Sequence, residues 1–123
     1  MNSYINEWFN KFPASVTPYE LREDIIHEHL RDFEEGDIED RLYKFTEYQK
    51  MKLPTDKLRI QWYVDEDKVK KYEKRIQKGE FPRPIIYDKV RKSVIDGTHR
   101  LVAFKNLGFP FVVCYVGLSR FKA

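Results

Sequence analysis

Val94-Ile95-Asp96-Gly97-Thr98-His99-Arg100-Leu101 is the stretch on which the reading of this 123-residue chain turns. Val94-Ile95 reads as a buried strand and Asp96-Gly97 as a tight turn. Leu101, Ala103 or Phe104, and Leu107 then recur as the inward face of a helix, which Gly108 and Pro110 close. A strand running directly into a helix leaves the N–H groups of the first helical turn without intrahelical partners. They carry partial positive charge and offer a place to an anion. Gly97 lets backbone approach a ligand closely. His99 and Arg100 stand in that first turn, where the macrodipole disfavours cations, and an anionic ligand would supply the missing charge. Two readings stay open: an anion cradle, or an ordinary turn in which Arg100 pairs with Asp96.

Working outward, Pro84-Ile85-Ile86-Tyr87 and Ser93-Val94-Ile95 read as two short strands, joined across the polar turn Lys89–Lys92 into a hairpin. Upstream, Asp65-Glu66-Asp67 opens a helix that runs to about Lys78 and stops at Gly79. Its Lys68, Lys71 and Arg75 fall at i, i+3 and i+7 on one face, with Val69, Tyr72 and Ile76 on the other. The basic face is either a solvated stripe or the second half of a polyphosphate site. Leu58–Val64 is rich in branched and aromatic residues and predicts a strand, and the near-continuous apolar run Phe111–Val116 predicts one buried on both faces. From Leu58 onward the order is β-α-β-β-α-β.

Before this lies a segment that reads as helical. Residues 3–12 place Ile5, Trp8, Phe9 and Phe12 on one face, and Pro13 and Pro18 bracket a loop. Thr17-Pro18-Tyr19-Glu20 has the form of a capping box with Pro at the first helical position. Leu21, Ile25, His29 or Leu30, and Phe33 continue it at helical spacing to Gly36. Asp37 then caps a third expected helix with Ile38, Leu42, Phe45 and Gln49 along one side, ended by Pro54. The expected division is an acidic helical extension over 1–52, packed on the same domain, and an α+β domain over 53–123.

Composition supports one globular domain, with 41% hydrophobic and 15% aromatic residues. The net charge of +3 conceals an asymmetry. Residues 1–50 carry 6 Lys/Arg against 12 Asp/Glu, and residues 51–123 carry 17 against 8, so the halves stand at −6 and +9. The basic half suits an anionic ligand, while the acidic half argues against a protein that simply coats nucleic acid. One cysteine, Cys114, excludes an internal disulfide, and four Cys and His residues in all exclude a Cys-rich zinc module. No apolar run is long enough for a membrane span and no signal peptide is recognisable, so a cytoplasmic location away from membranes is expected.

Asp96-Gly97-Thr98-His99-Arg100-Leu101-Val102-Ala103-Phe104-Lys105-Asn106-Leu107-Gly108 resembles the signature of the ParB/sulfiredoxin-like superfamily: a strand, a Gly-x-His-Arg or Gly-x-Arg-Arg turn, then a helix with a small residue and a late Leu-Gly. Val64–Ile76 resembles the family's first helix, and Pro82-Arg83-Pro84-Ile85-Ile86 the start of the strand after it. The resemblance covers about residues 53–117. It implies a small mixed β-sheet with flanking helices, here preceded by the helical extension. It implies phosphate contacts from His99 and Arg100 with Gly97 and Thr98, and nucleotide contacts from Lys68, Lys71, Arg75 and Arg59. Thr98 stands where sulfiredoxins have their cysteine, so cysteine-dependent sulfiredoxin chemistry is not expected. Cys114 reads as a core residue. The free serine kinases of this fold share Asp-Gly-x-His-Arg, which makes Asp96 a candidate general base. ParB proteins proper bind and hydrolyse CTP and add a DNA-reading module; the sequence stops at Ala123, shortly after the last strand, and no such module is expected downstream.

The function expected is therefore nucleotide binding with phosphotransferase or NTPase activity, using ATP or another nucleoside di- or triphosphate with Mg²⁺, with Asp96 and His99 as the catalytic candidates. The alternatives are a DNA-binding or nuclease module and a non-catalytic interaction protein. A homodimer or protein contact through the N-terminal helices belongs to the same set of expectations. His27-Glu28-His29 has metal-like composition, but positions i and i+2 do not share a helix face, and no metal site is expected there. Trp8, Trp62, Tyr63 and Tyr72 suit base stacking or, more simply, the core. Asp65, Glu66 and Asp67 are first of all partners of a helix dipole.

Overall fold

The central strand explains why the apolar run near the C-terminus has no polar side. In the computed structural model, which describes residues 2–28, 40–60 and 64–120, strand β5 (Phe111–Arg120) lies in the middle of a five-stranded sheet. Its neighbours are β2 (Phe45–Pro54), antiparallel, and β3 (Ile85–Asp88), parallel. Outside these lie β1 (Ser15–Val16) and β4 (Ser93–Asp96), giving the order β1-β2-β5-β3-β4. Val112 through Val116 are all buried, as expected for a strand covered on both faces.

The helices divide between those faces. α1 (Asn2–Asn10), α3 (Glu66–Gln77) and α4 (Thr98–Asn106) pack on one side, where Ile5, Trp8, Val69, Ile76, Leu101 and Phe104 meet Ile85, Val94 and Cys114. α2 (Pro18–Glu28) packs on the other, where Leu21 and Ile25 meet Phe45, Tyr48, Ile86, Ile95 and Tyr115. Alternation does much of the sorting: Ile85 and Ile86 go to opposite clusters, as do Val94 and Ile95, and Cys114 and Tyr115, whereas Val112 and Val113 both join the first cluster. The apolar face of α1 is used in full. Trp8 stacks on Phe104 with ring centroids 4.5 Å apart, and its Nε1–H donates to the Pro82 carbonyl at 2.6 Å. The Tyr4 hydroxyl donates to the Glu80 carbonyl at 2.6 Å, so α1 holds the loop between α3 and β3 at two points.

Helix ends follow the local chemistry. The Glu20 N–H donates to Thr17 Oγ1 at 3.2 Å and the Thr17 N–H to Glu20 Oε1 at 3.4 Å, a closed capping box at the head of α2. Asp65 caps α3 by accepting from the N–H groups of Asp67 and Lys68. The Lys89–Lys92 turn and the β3–β4 hairpin are where the sequence places them, with buried Asp88 accepting from the N–H groups of Val90 and Arg91. Among the described residues, no helix is long and apolar enough to cross a membrane.

Two expectations are corrected. The third helix, expected to run past Phe45 to Pro54, gives way to strand β2 from Phe45 onward. Its pairing with β5 shifts register between Phe45 and Tyr48, and that irregularity turns both rings into the same cluster although they are three positions apart. A bulged strand thus imitates helical spacing. Asp37 and Ile38 lie outside the described residues, as do His29, Leu30, Phe33 and Gly36. The strand expected over Leu58–Val64 is absent from its described part: a 3₁₀ turn, Thr55–Lys57, leads into irregular backbone at 58–60. β2 already holds the place beside β5. Trp62 and Tyr63 lie outside the described residues. The expected boundary at 52/53 falls inside β2.

Gly117 on β5 is packed so closely under Phe45 that a Cβ there would lie 2.4 Å from the ring. Gly117→Ala is therefore expected to lower stability by about 1–3 kcal/mol, measured by urea unfolding, and Phe45→Leu in the same chain should recover part of that loss. Equal stability of Gly117→Ala and the parent would show that the ring has room to move.

Candidate functional site

The turn from β4 into α4 is built around one buried arginine. Arg100 is only 2% exposed. Its Nη2 donates to Asp96 Oδ2 at 2.9 Å and its Nη1 to the Arg83 carbonyl at 2.9 Å. The Arg83 guanidinium approaches the same Asp96 oxygen at 3.8 Å. Asp96 is thus bracketed by two cations, its side chain 13% exposed. Gly97 takes φ +110°, and a Cβ at that position would lie 2.7 Å from Arg100 Nη2. The glycine is required twice over, by the left-handed backbone and by the guanidinium folded beneath it.

Of the two readings of Arg100, the geometry realises the pair with Asp96. Its guanidinium belongs to the packing under the turn. Asp96, in turn, is committed to Arg100.

The N-terminus of α4 has no side-chain cap and no acid in its first turn. It is joined to the N-terminus of α3 by His99: the Asp65 N–H donates to His99 Nε2 at 3.1 Å. In this bond Nε2 is the acceptor, so the imidazole carries its hydrogen on Nδ1 if neutral. Two helix starts therefore meet, one capped by Asp65 and one headed only by Gly97 and Thr98. Lys68 and Lys71 are exposed along α3 beyond this junction.

Arg75 lies two turns along α3 from Lys68, about 10 Å away by helical rise. It is paired with Glu80 at 2.9 Å and lies 5.7 Å from the Tyr72 ring centre. It faces a cleft of about 330 Å³, with Tyr72, Phe81 and Arg83 on one side and Asp24 and His27 of α2 on the other. Arg59 is exposed and close enough to Tyr87 for its charge to favour the phenolate. Burial, Cys114 and Asp88 together prevail over it, and the Tyr87 hydroxyl is raised above the usual range.

The sequence reading brought Asp96, Gly97, Thr98, His99 and Arg100 to one turn and Lys68 beside it. Arg83 and His27 enter the sequence reading only as part of a strand entry and of a rejected metal cluster, and Asp24 not at all. Arg83 had a signal, since prolines on both sides hold it in extended backbone at the mouth of β3. Asp24 and His27 were legible only as neighbours on a helix face.

Cys114 is fully buried, and burial pushes its thiol far above the usual cysteine range against the opposing charge of Arg100. With Thr98 at the turn, neither position supplies a thiolate.

Asp96→Asn leaves Arg100 buried without its counter-charge and is expected to cost about 3–5 kcal/mol of stability, read by chemical denaturation. A stability unchanged by the substitution would show that Arg100 does not depend on this carboxylate. Cys114 should resist an aromatic disulfide reagent at pH 8 until denaturant is added; prompt labelling of the native protein would contradict its burial.

No family model matches the sequence, and no curated protein matches it. Among solved structures, the chain is similar to a sulfiredoxin from Arabidopsis thaliana, with 26% identity and a TM-score of 0.45, over 55% of this chain and 83% of that one. It is similar to a pNOB8-like ParB N-domain with 24% identity and a TM-score of 0.45 over 61% of this chain, and to a further structure of such a domain with 25% identity and a TM-score of 0.42 over 56%. The matched parts span 31% and 28% of those two ParB chains. The chain itself is mixed α+β, with a five-stranded sheet and flanking helices.

Proposed function

We propose that the protein binds a nucleoside di- or triphosphate with its phosphates at the junction of the α3 and α4 N-termini, and that it acts as an NTP-dependent phosphotransferase or NTPase. The observation that carries this reading is the His99–Asp65 bond, which joins the uncapped start of α4 to the start of α3, whose exposed Lys68 and Lys71 follow within the first two turns. Backbone N–H groups at such a start favour an anion, and the two lysines add positive charge along the adjoining helix. In this arrangement Thr98 and His99 are the backbone donors and Arg100 keeps their geometry through Asp96 and Arg83.

Phosphoryl transfer rests on positioning and charge stabilisation rather than on covalent work by the protein. His99 joins the two helix starts through Nε2, which leaves Nδ1–H as its donor, and Asp96 orients the turn that carries it. Among the described residues, no group of three His, Cys, Asp or Glu side chains is placed to hold a metal ion. Mg²⁺ enters this reading as the counter-ion that the polyphosphate carries.

A nucleic-acid or nuclease reading draws on a different place, the β3–β4 turn, where Lys89, Arg91 and Lys92 are all exposed. It calls for a steep loss of affinity with salt.

A ligand at about one hundred times its dissociation constant adds about 2.7 kcal/mol to stability. Thermal unfolding with ATP, ADP, CTP and GTP, each with Mg²⁺, is expected to show an upward shift of several degrees with at least one of them. Lys68→Ala with Lys71→Ala should remove most of that shift while leaving the unliganded transition in place. Absence of a shift with every nucleotide would overturn the reading.

A further inference from the structure

The cleft between α2 and α3 is built from two kinds of surface. Tyr72, Phe81 and Pro82 give it apolar and aromatic walls, while Asp24, His27, Arg75 and Arg83 give it polar edges. A flat heteroaromatic ring with a hydroxylated sugar uses both; an inorganic anion has no use for the rings, and a purely apolar ligand none for Asp24 and His27. The volume, about 330 Å³, lies within the range of small-molecule sites.

Its position relates it to the phosphate junction. Arg83 lines the cleft and also approaches Asp96 at 3.8 Å, immediately before the turn. Along α3, Lys68, Lys71 and Arg75 run from the junction to the cleft on one face. Arg75 and Arg83 line the cleft beside Asp24, but each already has an acid near it, Glu80 at 2.9 Å from Arg75 and Asp96 at 3.8 Å from Arg83. With those charges answered and Asp24 in the same lining, the phosphates belong at the helix starts and the uncharged end in the cleft. Asp24 and His27 stand three positions apart on α2, hence side by side, and both are exposed to the cleft.

We infer that this cleft is the nucleoside subsite, and that α2 of the acidic N-terminal segment reads the ligand there. Tyr72 and Phe81 pack against the base, Asp24 accepts hydrogen bonds from amino or hydroxyl groups of the nucleoside, and His27 bonds beside it. The inference rests on the nucleotide reading above and gives the N-terminal segment a part in selecting the ligand. It also accounts for His27, whose neighbourhood in sequence looked metal-like without metal-binding geometry.

The test is calorimetric titration of the full chain with inorganic tripolyphosphate and with ATP, CTP and GTP, all with Mg²⁺. Asp24→Asn and His27→Ala are compared with the parent, and Glu23→Gln serves as an exposed neighbouring control; circular dichroism checks folding. At least one nucleotide should bind the parent more tightly than tripolyphosphate does. Each variant should lose about tenfold in affinity for that nucleotide, keep tripolyphosphate binding within about twofold of the parent, and differ from the control. Nucleotide affinity unchanged in both variants, or a parent that prefers no nucleotide over tripolyphosphate, overturns the inference and leaves the phosphate junction standing. A parent that binds neither class of ligand overturns the nucleotide reading and the inference with it.

Discussion

A guanidinium held out of water is the constraint around which this molecule is arranged. Burying Arg100 is unfavourable by several kcal/mol unless its charge and its donors are met. They are met by Asp96, at the end of β4, and by the Arg83 carbonyl, at the approach to β3. One side chain therefore ties together the last residue of the edge strand, the loop below α3 and the first turn of α4. The same demand excludes a Cβ at residue 97 and so fixes the turn as a glycine turn. What remains above the guanidinium is a helix start with no side-chain cap, joined by His99 to the start of α3.

The sheet supports this arrangement from both faces. α1 fastens the loop that carries Pro82 and Glu80, which lead into Arg83. α2 covers the opposite face and brings acid to the margin of the basic part, where Asp24 lines a cleft together with Arg83. Asp24 of the acidic part thus shares a cleft with Arg75 and Arg83 of the basic part.

Legibility followed how local the deciding chemistry was. The capping box at Thr17, the acidic start of α3 at Asp65, the hairpin across Lys89–Lys92 and the glycine turn at 97 are each decided within a few residues, and each was readable. β2 was not, because its register shift places Phe45 and Tyr48 on one face and copies helical spacing. The fate of Arg100 was half legible: its spacing of four from Asp96 raised the pairing, but sequence alone could not choose between a partner within the chain and one outside it. The cleft was illegible, since Asp24 and His27 meet Tyr72 and Arg83 only through the sheet that separates them in sequence.

The central claim is that anions bind at the start of α4. Its most direct measurement is a two-dimensional amide NMR titration with inorganic tripolyphosphate. The account predicts that the largest shifts fall on Gly97, Thr98 and His99 and on the first turns of α3 around Asp65 and Lys68, with Lys89–Lys92 little changed. Shifts concentrated in the β3–β4 turn, or none at the α4 start, would contradict it.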